Sequence, residues 1–262
     1  MVAETATSLR RGLSILFALE GEASANGGLG VTRIAELLGR EKSQISRSLK
    51  ILAQYGLVER DLDTRGYRLG PRVFTMAARS GHASLVAACG PLLEQLVRDL
   101  GETAHLSLLQ GAEVMTVLSE TPNHAVQAAG WVGRSVPAYC TSSGRALLLD
   151  YELDRLEALF AGVAFDCRGP NGPRDVAELH RRIRAARDRD FAIVDEEFEP
   201  GLVAVAAPVR DYRGRIAAAI NVSAPKFRLG KHLEAAGAAV KAAAETLSRR
   251  LGTAAAGGGG TP

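Results

Sequence analysis

The sequence predicts an α+β fold in two parts, a small helical domain followed by a larger domain built on an antiparallel sheet. In the first seventy residues, three amphipathic segments with helical spacing precede two short extended arms around a polar turn. The rest of the chain alternates short β-rich runs with amphipathic helices, and two of those runs flank a hairpin turn at residues 211–214. Strands in hairpins, mixed with helices, favour an antiparallel sheet.

Composition allows two folded domains and narrows the class of protein. The 262 residues are 47% hydrophobic but only 5% aromatic, so aliphatic side chains must form the cores. A net charge of +3 does not by itself indicate nucleic acid, so the placement of the basic residues matters more. Three cysteines without C-x-x-C spacing are typical of a reducing compartment. No signal peptide and no apolar run of about 20 residues is apparent, so we expect a cytoplasmic chain with no membrane partner.

The N-terminal domain is predicted as helix, short helix, tight turn, helix and hairpin. Apolar residues recur at helical spacing in three segments, residues 8–19, 33–38 and 42–55. Arg11 is expected on the solvent face of the first, Thr32 is the predicted N-cap of the second, and Gly39 ends it. Residues 57–60 and 67–69 are the predicted arms of the hairpin. Two helices joined by a tight turn indicate a helix-turn-helix, to which the hairpin adds a wing.

The helix predicted at residues 42–55 has the two faces that a DNA-reading helix needs. Ile45, Leu49 and Leu52 form an apolar stripe that would anchor it, and small polar and basic residues occupy its other faces. A B-DNA major groove is about 12 Å wide and admits one helix, whose N-terminal turns reach the bases. The residues predicted to contact DNA are Arg33, Lys42, Ser43, Gln44, Ser46, Arg47, Lys50 and Arg65.

Within this set the side chains divide by chemistry. Gln44 can pair with adenine and Arg47 with guanine, whereas Arg33, Lys50 and Arg65 suit phosphates, which position a protein without specifying sequence. The alternatives are a helical bundle with a solvated polar face and a segment that binds a protein partner. The order of helix-turn-helix and wing favours double-stranded DNA.

A linker helix and a larger domain are predicted beyond the wing. Residues 71–87 have helical spacing with a break expected near Gly81 and Ser84, and Pro91 is expected to begin a helix at residues 91–100. Strands are predicted at residues 104–109, 113–119, 125–129, 136–139, 191–195, 202–209 and 215–222. Further helices are predicted at residues 144–149, 153–159, 173–189 and 230–251. The predicted domains are residues 1–70, a linker at 71–87, a domain at 88–252 and a disordered tail at 253–262.

Several segments resemble the IclR family of bacterial regulators. Residues 42–47 are similar to the start of that family's recognition helix, where a Lys-Ser pair and a following Arg are common. Residues 136–148 resemble its Leu-Pro-x-His-Ala-Thr-x-x-Gly-Lys-Ala segment. The other similar segments are the opening helix at residues 8–16, the wing arms at 56–60 and 66–70, and the paired C-terminal strands at 201–225. The likeness extends from about Ser8 to Leu251.

The resemblance implies a winged helix-turn-helix, a linker helix and a GAF-like α/β domain with an antiparallel sheet. It further implies a homodimer or homotetramer on a palindromic operator, and a small-molecule effector that is a small organic acid, an aromatic acid or a related metabolite. The Tyr-Cys-Thr-Ser-x-Gly-Arg variant at residues 139–145 is similar to the branch that senses aromatic acids. Arg145 stands where a Lys is usual, and Ala204 where many members have a Cys.

The resemblance also indicates effector-binding residues. Thr141, Ser142 and Ser143 belong to the matched segment, in which the two serines would offer backbone N–H groups to an anion. Asn221 and Ser223 stand where hydroxyl-bearing residues contact effector. Two further candidates come from the residues alone. Trp131, the only tryptophan, is a candidate for lining the pocket, and Asp195 for facing a ligand amine or hydroxyl.

The sequence predicts no enzyme, no cofactor and no metal site. The five histidines show neither H-E-x-x-H nor H-x-x-x-H spacing, and no phosphate-binding G-x-x-x-x-G-K-[ST] loop or G-x-S-x-G elbow occurs. A metal site on Cys140, or a Cys140 nucleophile with His105 or His124 as base, stays open as an alternative. A buried cysteine that acts as a small hydrophobe is favoured over both. A small-molecule-binding enzyme and a purely architectural DNA binder are the remaining alternatives.

Overall fold

A computed structural model describes residues 2–21, 28–80, 82–122 and 130–257, with side chains described in 7–20, 28–80, 82–122 and 130–252. The chain divides into two compact units, an N-terminal unit, Met1–Ala83, and a C-terminal unit, Ser84–Pro262. No helix in the described ranges is long and apolar enough to cross a membrane.

The N-terminal unit has the predicted order of elements. These are α1 (Val2–Gly21), α2 (Val31–Leu38), α3 (Lys42–Gln54), β1 (Val58–Arg60), β2 (Tyr67–Leu69) and α4 (Pro71–Ala78). The core is aliphatic and draws on α1, α2, α3 and β1, with Ile15, Ile34, Ile45 and Leu49 all fully buried. Strands β1 and β2 pair in antiparallel fashion, as the predicted hairpin requires.

The ends of α2 show one correct and one wrong prediction. Gly39 terminates the helix with a φ of 58°, a left-handed conformation that glycine adopts without the steric cost of a Cβ. Thr32 is not the N-cap, because the helix begins one residue earlier, at Val31, and Gly30 takes the capping position. Gly30 has no side chain to offer, so no side-chain hydrogen bond caps this helix.

The region beyond the wing differs from its prediction. Helix α4 ends at Ala78, and the next helix, α5 (Ala83–Leu100), runs continuously through Pro91. The break predicted near Gly81 and Ser84 is therefore confirmed, because it separates α4 from α5, whereas a new helix start at Pro91 is wrong. Proline removes one backbone hydrogen bond, but the buried face of α5, which includes Cys89 and Leu93, packs in the core and holds the helix together.

Within the described residues, the C-terminal unit is built on a six-stranded antiparallel sheet. Its strands are β3 (Thr103–Gln110), β4 (Glu113–Glu120), β5 (Ser135–Pro137), β6 (Ala192–Asp195), β7 (Leu202–Arg210) and β8 (Ile216–Pro225). Their order across the sheet is β5-β4-β3-β8-β7-β6. The remaining helices are α6 (Ser142–Leu147), α7 (Leu153–Leu159), α8 (Val176–Arg187), α9 (Lys226–Leu229) and α10 (Leu233–Gly257). The α+β class and the antiparallel sheet are confirmed.

The two faces of the sheet are covered by different helices. Ala104 and Leu106 of β3 pack in a core with α5 and α10, whereas Ala206 and Ala219 pack in a second core with α6, α7 and α8. Side chains alternate between the faces of a strand, so Thr103, His105 and Ser107 point away from Ala104 and Leu106. Polar residues of β3 therefore lie on the face that also carries α6.

Element ends in this unit depart from the predictions in several places. The strand predicted at residues 136–139 stops at Pro137 and continues as a single 3₁₀ turn, and α6 begins at Ser142 rather than at residue 144. The predicted disordered tail is helical as far as Gly257, because α10 continues to that residue. The strand predicted at residues 125–129 lies outside the described residues.

Candidate DNA interface and ligand cavity

Helix α3 presents one buried and one exposed face. Ile45 and Leu49 are fully buried, and Leu52 is half-buried. Of the residues predicted to contact DNA, Gln44 is half-buried and the others are exposed, namely Arg33, Lys42, Ser43, Ser46, Arg47, Lys50 and Arg65. A helix that is anchored by one face and open along the other has the geometry that entry into a major groove requires.

Hydrogen bonds from α1 engage part of the polar face that α3 would present to DNA. Arg11 donates from Nε to Ser48 Oγ at 3.0 Å and from Nη1 to Gln44 Oε1 at 2.9 Å. Arg11 is thus half-buried between α1 and α3, and its expected place on the solvent face is wrong. Because the Gln44 amide oxygen is already engaged, pairing with adenine through both amide atoms would have to displace Arg11. Arg47 donates from Nε to its own helix, at Ser43 O, over 3.2 Å.

The wing is a tight loop organised by one carboxylate. Asp61 Oδ1 accepts hydrogen bonds from the backbone N–H groups of Asp63 and Thr64, at 3.0 and 2.8 Å, and from Thr64 Oγ1 at 3.0 Å. The hydrogen bonds from Thr64 lower the pKa of Asp61. Arg65 has a φ of 57°, and its carbonyl accepts from Arg60 Nε at 3.2 Å. The loop therefore fixes the backbone at Arg65 while its side chain stays exposed.

A cavity of about 370 Å³ lies on the α6 side of the sheet in the C-terminal unit. Six of the seven predicted effector residues line it, namely Trp131, Thr141, Ser142, Ser143, Asn221 and Ser223. The seventh, Asp195, is not among the lining residues, and its carboxylate lies 2.8 Å from Lys226 Nζ. The structure thus brings most of the candidate set to one place.

Sequence reasoning missed the polar residues that strand β3 contributes to this cavity. His105 pairs with Asn221 across β3 and β8, and Ser107 pairs with Thr116 across β3 and β4. All four line the cavity and all are buried. The signal was the alternation of Thr103, His105 and Ser107 with apolar neighbours, but the sequence does not say which layer covers that face.

His105 is the most unusual of these groups. It is 4% exposed, and burial lowers the pKa of its imidazole to about 4, so the ring is neutral near pH 7. Its Nε2 lies 3.4 Å from Ser223 Oγ, and the ring meets Trp131 edge-on at 6.1 Å between centroids. No hydrogen-bond partner for its Nδ1 occurs among the described residues.

The segment around α6 is held rigidly. Thr141 caps the helix by accepting from Gly144 N–H at 3.2 Å. Gly144 packs directly on the preceding turn, where an added Cβ would lie 2.0 Å from the carbonyl oxygen of Ala138. Arg145 is 4% exposed, pairs with Glu197, and donates to the carbonyl oxygen of Ile193 at 2.7 Å. These contacts fix Ser142 and Ser143 at the cavity wall.

The charged groups at the cavity are paired or partly exposed. Glu102, which is buried, accepts from Arg228 Nε at 2.6 Å and from Nη2 at 2.7 Å, a two-pronged ion pair. Glu199 is half-buried. Arg228 is the one basic side chain among the described residues that line the cavity. Little net charge therefore faces a ligand.

The arrangement offers little for metal or nucleophile chemistry. Among the described residues, no three His, Cys, Asp or Glu side chains are grouped so as to hold a metal ion. Burial raises the pKa of the Cys140 thiol, which disfavours the reactive thiolate. His124, one of the bases considered for it, lies outside the described residues.

Comparison with known proteins identifies relatives over nearly the whole chain. The sequence model of the IclR helix-turn-helix domain matches residues 8–62, and that of the C-terminal domain of bacterial IclR transcriptional regulators matches residues 78–249. The regulator BhcR of Paracoccus denitrificans is 31% identical over 92% of this chain and 86% of its own length. The Pca regulon regulatory protein of Pseudomonas putida is 30% identical over 83% of this chain and 74% of its own.

Solved structures agree with the fold. The IclR regulator of Alicyclobacillus acidocaldarius superposes with a TM-score of 0.74 at 26% identity, covering 94% of this chain and 99% of that one. An IclR homologue from Microbacterium hydrocarbonoxydans, solved with 4-hydroxybenzoate, gives 0.76 at 22% identity, covering 93% and 98%. The relatives matched by sequence are transcriptional regulators rather than enzymes. With both domain models matched in order, this chain belongs to the IclR family of bacterial transcriptional regulators.

Proposed function

We propose that this chain binds a palindromic double-stranded operator as a homodimer, and that a small carboxylic acid in the cavity controls its operator affinity. The observation that carries the proposal is that α3 has a buried apolar face and an exposed polar and basic face. Its Ile45 and Leu49 stripe is fully buried, while Lys42, Ser43 and Arg47 are exposed along its first turns. A polar and basic face on an anchored helix, followed by a wing, serves groove binding.

Exposed apolar residues support a dimer. Leu9, Leu13 and Phe17 lie at intervals of four on α1 and are 68%, 45% and 67% exposed. On α4, Phe74 and Met76 are 78% and 60% exposed, and that helix has no buried residue. Apolar stripes of this kind are rarely left to solvent, and a second copy of the N-terminal unit is the occupant that a palindromic site calls for.

The cavity supports a small organic effector. Its volume of about 370 Å³ lies in the range of ligand pockets, and its lining mixes apolar side chains with a few convergent polar groups. A structural neighbour was solved with 4-hydroxybenzoate. An organic acid, and within that class an aromatic acid, is therefore the effector that we propose.

The two functions are coupled by linkage. If the effector favours one spacing of the two DNA-reading heads, operator affinity changes, because palindromic half-sites lie about one helical turn or a multiple apart. A coupling free energy of roughly 1–3 kcal/mol gives about 5–150-fold regulation.

The test is a mobility shift with duplex DNA from upstream of the chain's own gene, titrated with 4-hydroxybenzoate. Arg47→Ala should weaken operator binding by about 5–150-fold, the range for loss of a base contact of roughly 1–3 kcal/mol, and leave ligand binding unchanged. Arg213→Ala, at an exposed arginine of the C-terminal unit, is the matched control and should behave as the wild type.

Three results would count against the proposal. Failure of the wild type to retain the duplex over competitor DNA would favour a protein partner for the N-terminal unit. Equal loss of DNA and ligand binding in Arg47→Ala would contradict independent sites. Absence of any thermal stabilisation by small acids would favour a purely architectural DNA binder.

A further inference from the structure

We propose that His105 is a specificity-determining residue of the cavity, and that it hydrogen-bonds the hydroxyl group of a hydroxylated carboxylic acid. This deepens the proposed effector site and rests on it. The geometry that carries it is an imidazole that lines the cavity, is 4% exposed, and has one ring nitrogen without a partner among the described residues.

The position of His105 directs it toward a ligand. It lies on β3, on the strand face opposite to the one that packs against α5 and α10. Asn221 is its cross-strand partner, and Ser107 lies two residues along on the same face. Buried polar groups are normally hydrogen-bonded, so an unpartnered nitrogen on a ring that lines a cavity of about 370 Å³ is explained by a partner that enters the cavity.

The chemistry of the ring selects the ligand group. Ser223 Oγ lies 3.4 Å from Nε2 and can act as donor or acceptor, so Nδ1 presents either an N–H group or a lone pair. A hydroxyl group can both donate and accept, and it therefore matches either tautomer of His105. An ammonium group can only donate and a carboxylate can only accept.

Charge in the cavity points the same way. Neither His105, Asn221 nor Ser107 carries a charge near neutral pH, and the lining pair of Glu102 and Arg228 is neutral as a whole. The other acidic residue of the lining, Glu199, is half-buried and supplies no positive counter-charge for an anion. An ionised group buried without a counter-charge is costly, so the part of the ligand beside these three residues is uncharged. The carboxylate of the same molecule would lie elsewhere in the cavity.

Trp131 provides a local reporter for the test. It is the only tryptophan in the chain, it lines the cavity, and its ring centroid is 6.1 Å from that of His105. Ligands that enter beside His105 should change its fluorescence. The full-length chain would be titrated with two matched pairs of probes, 4-hydroxybenzoate with benzoate and lactate with propionate, with calorimetry as a second measure of affinity.

The wild type should bind the hydroxylated member of at least one pair about tenfold more tightly than the other member. A ligand without the hydroxyl group leaves the His105 nitrogen unpaired. His105→Phe keeps the ring shape and removes both nitrogens, so its preference should fall below about threefold, with affinity for the other member little changed. His105→Gln, which keeps a donor and an acceptor, should retain part of the preference and serves in place of the Phe variant if that does not fold. His232→Phe, at an exposed histidine, should behave as the wild type.

Several results would overturn the assignment. These are equal affinity for both members of each pair in the wild type, a preference that survives in His105→Phe, or no binding of any probe. If the wild type binds its operator duplex but no hydroxylated acid, this inference fails and the DNA-binding proposal stands. If the hydroxyl preference follows His105 but no duplex is bound, the regulatory proposal fails and this assignment stands.

Discussion

Acidification should destabilise the C-terminal unit through His105, by an amount that the structure sets. The usual pKa of histidine is 6.5, and burial lowers that of His105 to about 4 in the folded chain. Between these values the unfolded chain binds a proton that the folded chain does not. Above pH 6.5 the ring is neutral in both states, and the free energy of unfolding keeps its full value. As the pH falls from 6.5 toward 4, the free energy of unfolding drops by about 1.4 kcal/mol per pH unit.

The size of the effect follows directly. Taking the two pKa values, the free energy of unfolding should fall by about 2 kcal/mol between pH 7.5 and pH 5, and by about 3 kcal/mol once the pH is below 4. Because His105 is only 4% exposed, solvent screens the charge of its protonated ring little in the folded chain.

The assay is urea unfolding followed by Trp131 fluorescence, which reports on the C-terminal unit. His105→Phe cannot take up the proton, so its free energy of unfolding should lose about 2 kcal/mol less than that of the wild type between pH 7.5 and pH 5. Carboxylates common to both proteins cancel in this difference. An equal change in the two proteins would show that His105 is not a neutral buried group, and would refute the reasoning.

Other predictions concern packing, capping and assembly. Gly144→Ala should destabilise the C-terminal unit by at least about 2 kcal/mol in urea unfolding, because its Cβ would lie 2.0 Å from a backbone oxygen. Asp175 accepts from Glu178 N–H at 2.7 Å and caps α8, so Asp175→Ala should cost about 1 kcal/mol, whereas Thr32→Ala should cost under about 0.5 kcal/mol. Phe17→Glu should shift sedimentation toward monomer, and an unchanged dimer would exclude this face.

The N-terminal unit was predictable because its signals are local. Apolar residues at helical spacing gave three helices, and the buried stripe of α3 at Ile45 and Leu49 is the one that the spacing indicated. The end of α2 at Gly39 was predictable from that residue alone, because glycine tolerates a positive φ. Tertiary contacts were not accessible in this way. The half-buried position of Arg11 depends on Ser48 and Gln44, which are far away in sequence.

Predictions failed where packing outweighs local preference. Pro91 signalled a helix start, yet α5 runs through it because the apolar face that includes Leu93 is buried in the core. Thr32 was the better capping residue by type, but Gly30 holds the position. The family resemblance identified most of the predicted residues that line the cavity, but it did not identify His105 and Ser107 of β3. These two residues can be assigned to the cavity only once the pairing of β3 with β8 and the position of α6 over that face are known.

Arg145 shows how a residue noted only as a departure acquires a physical role. The three donors of a lysine ammonium share one nitrogen at the end of a flexible chain, whereas the planar guanidinium of arginine holds five donors on three nitrogens in a fixed arrangement. Here it spans the Ile193 carbonyl and the Glu197 carboxylate, and Arg182 Nη1 approaches the same carboxylate at 2.9 Å. Two arginines around one buried carboxylate satisfy a charge that would otherwise be costly to bury. The substitution thus ties α6, which carries the serines of the cavity wall, to the loop after β6.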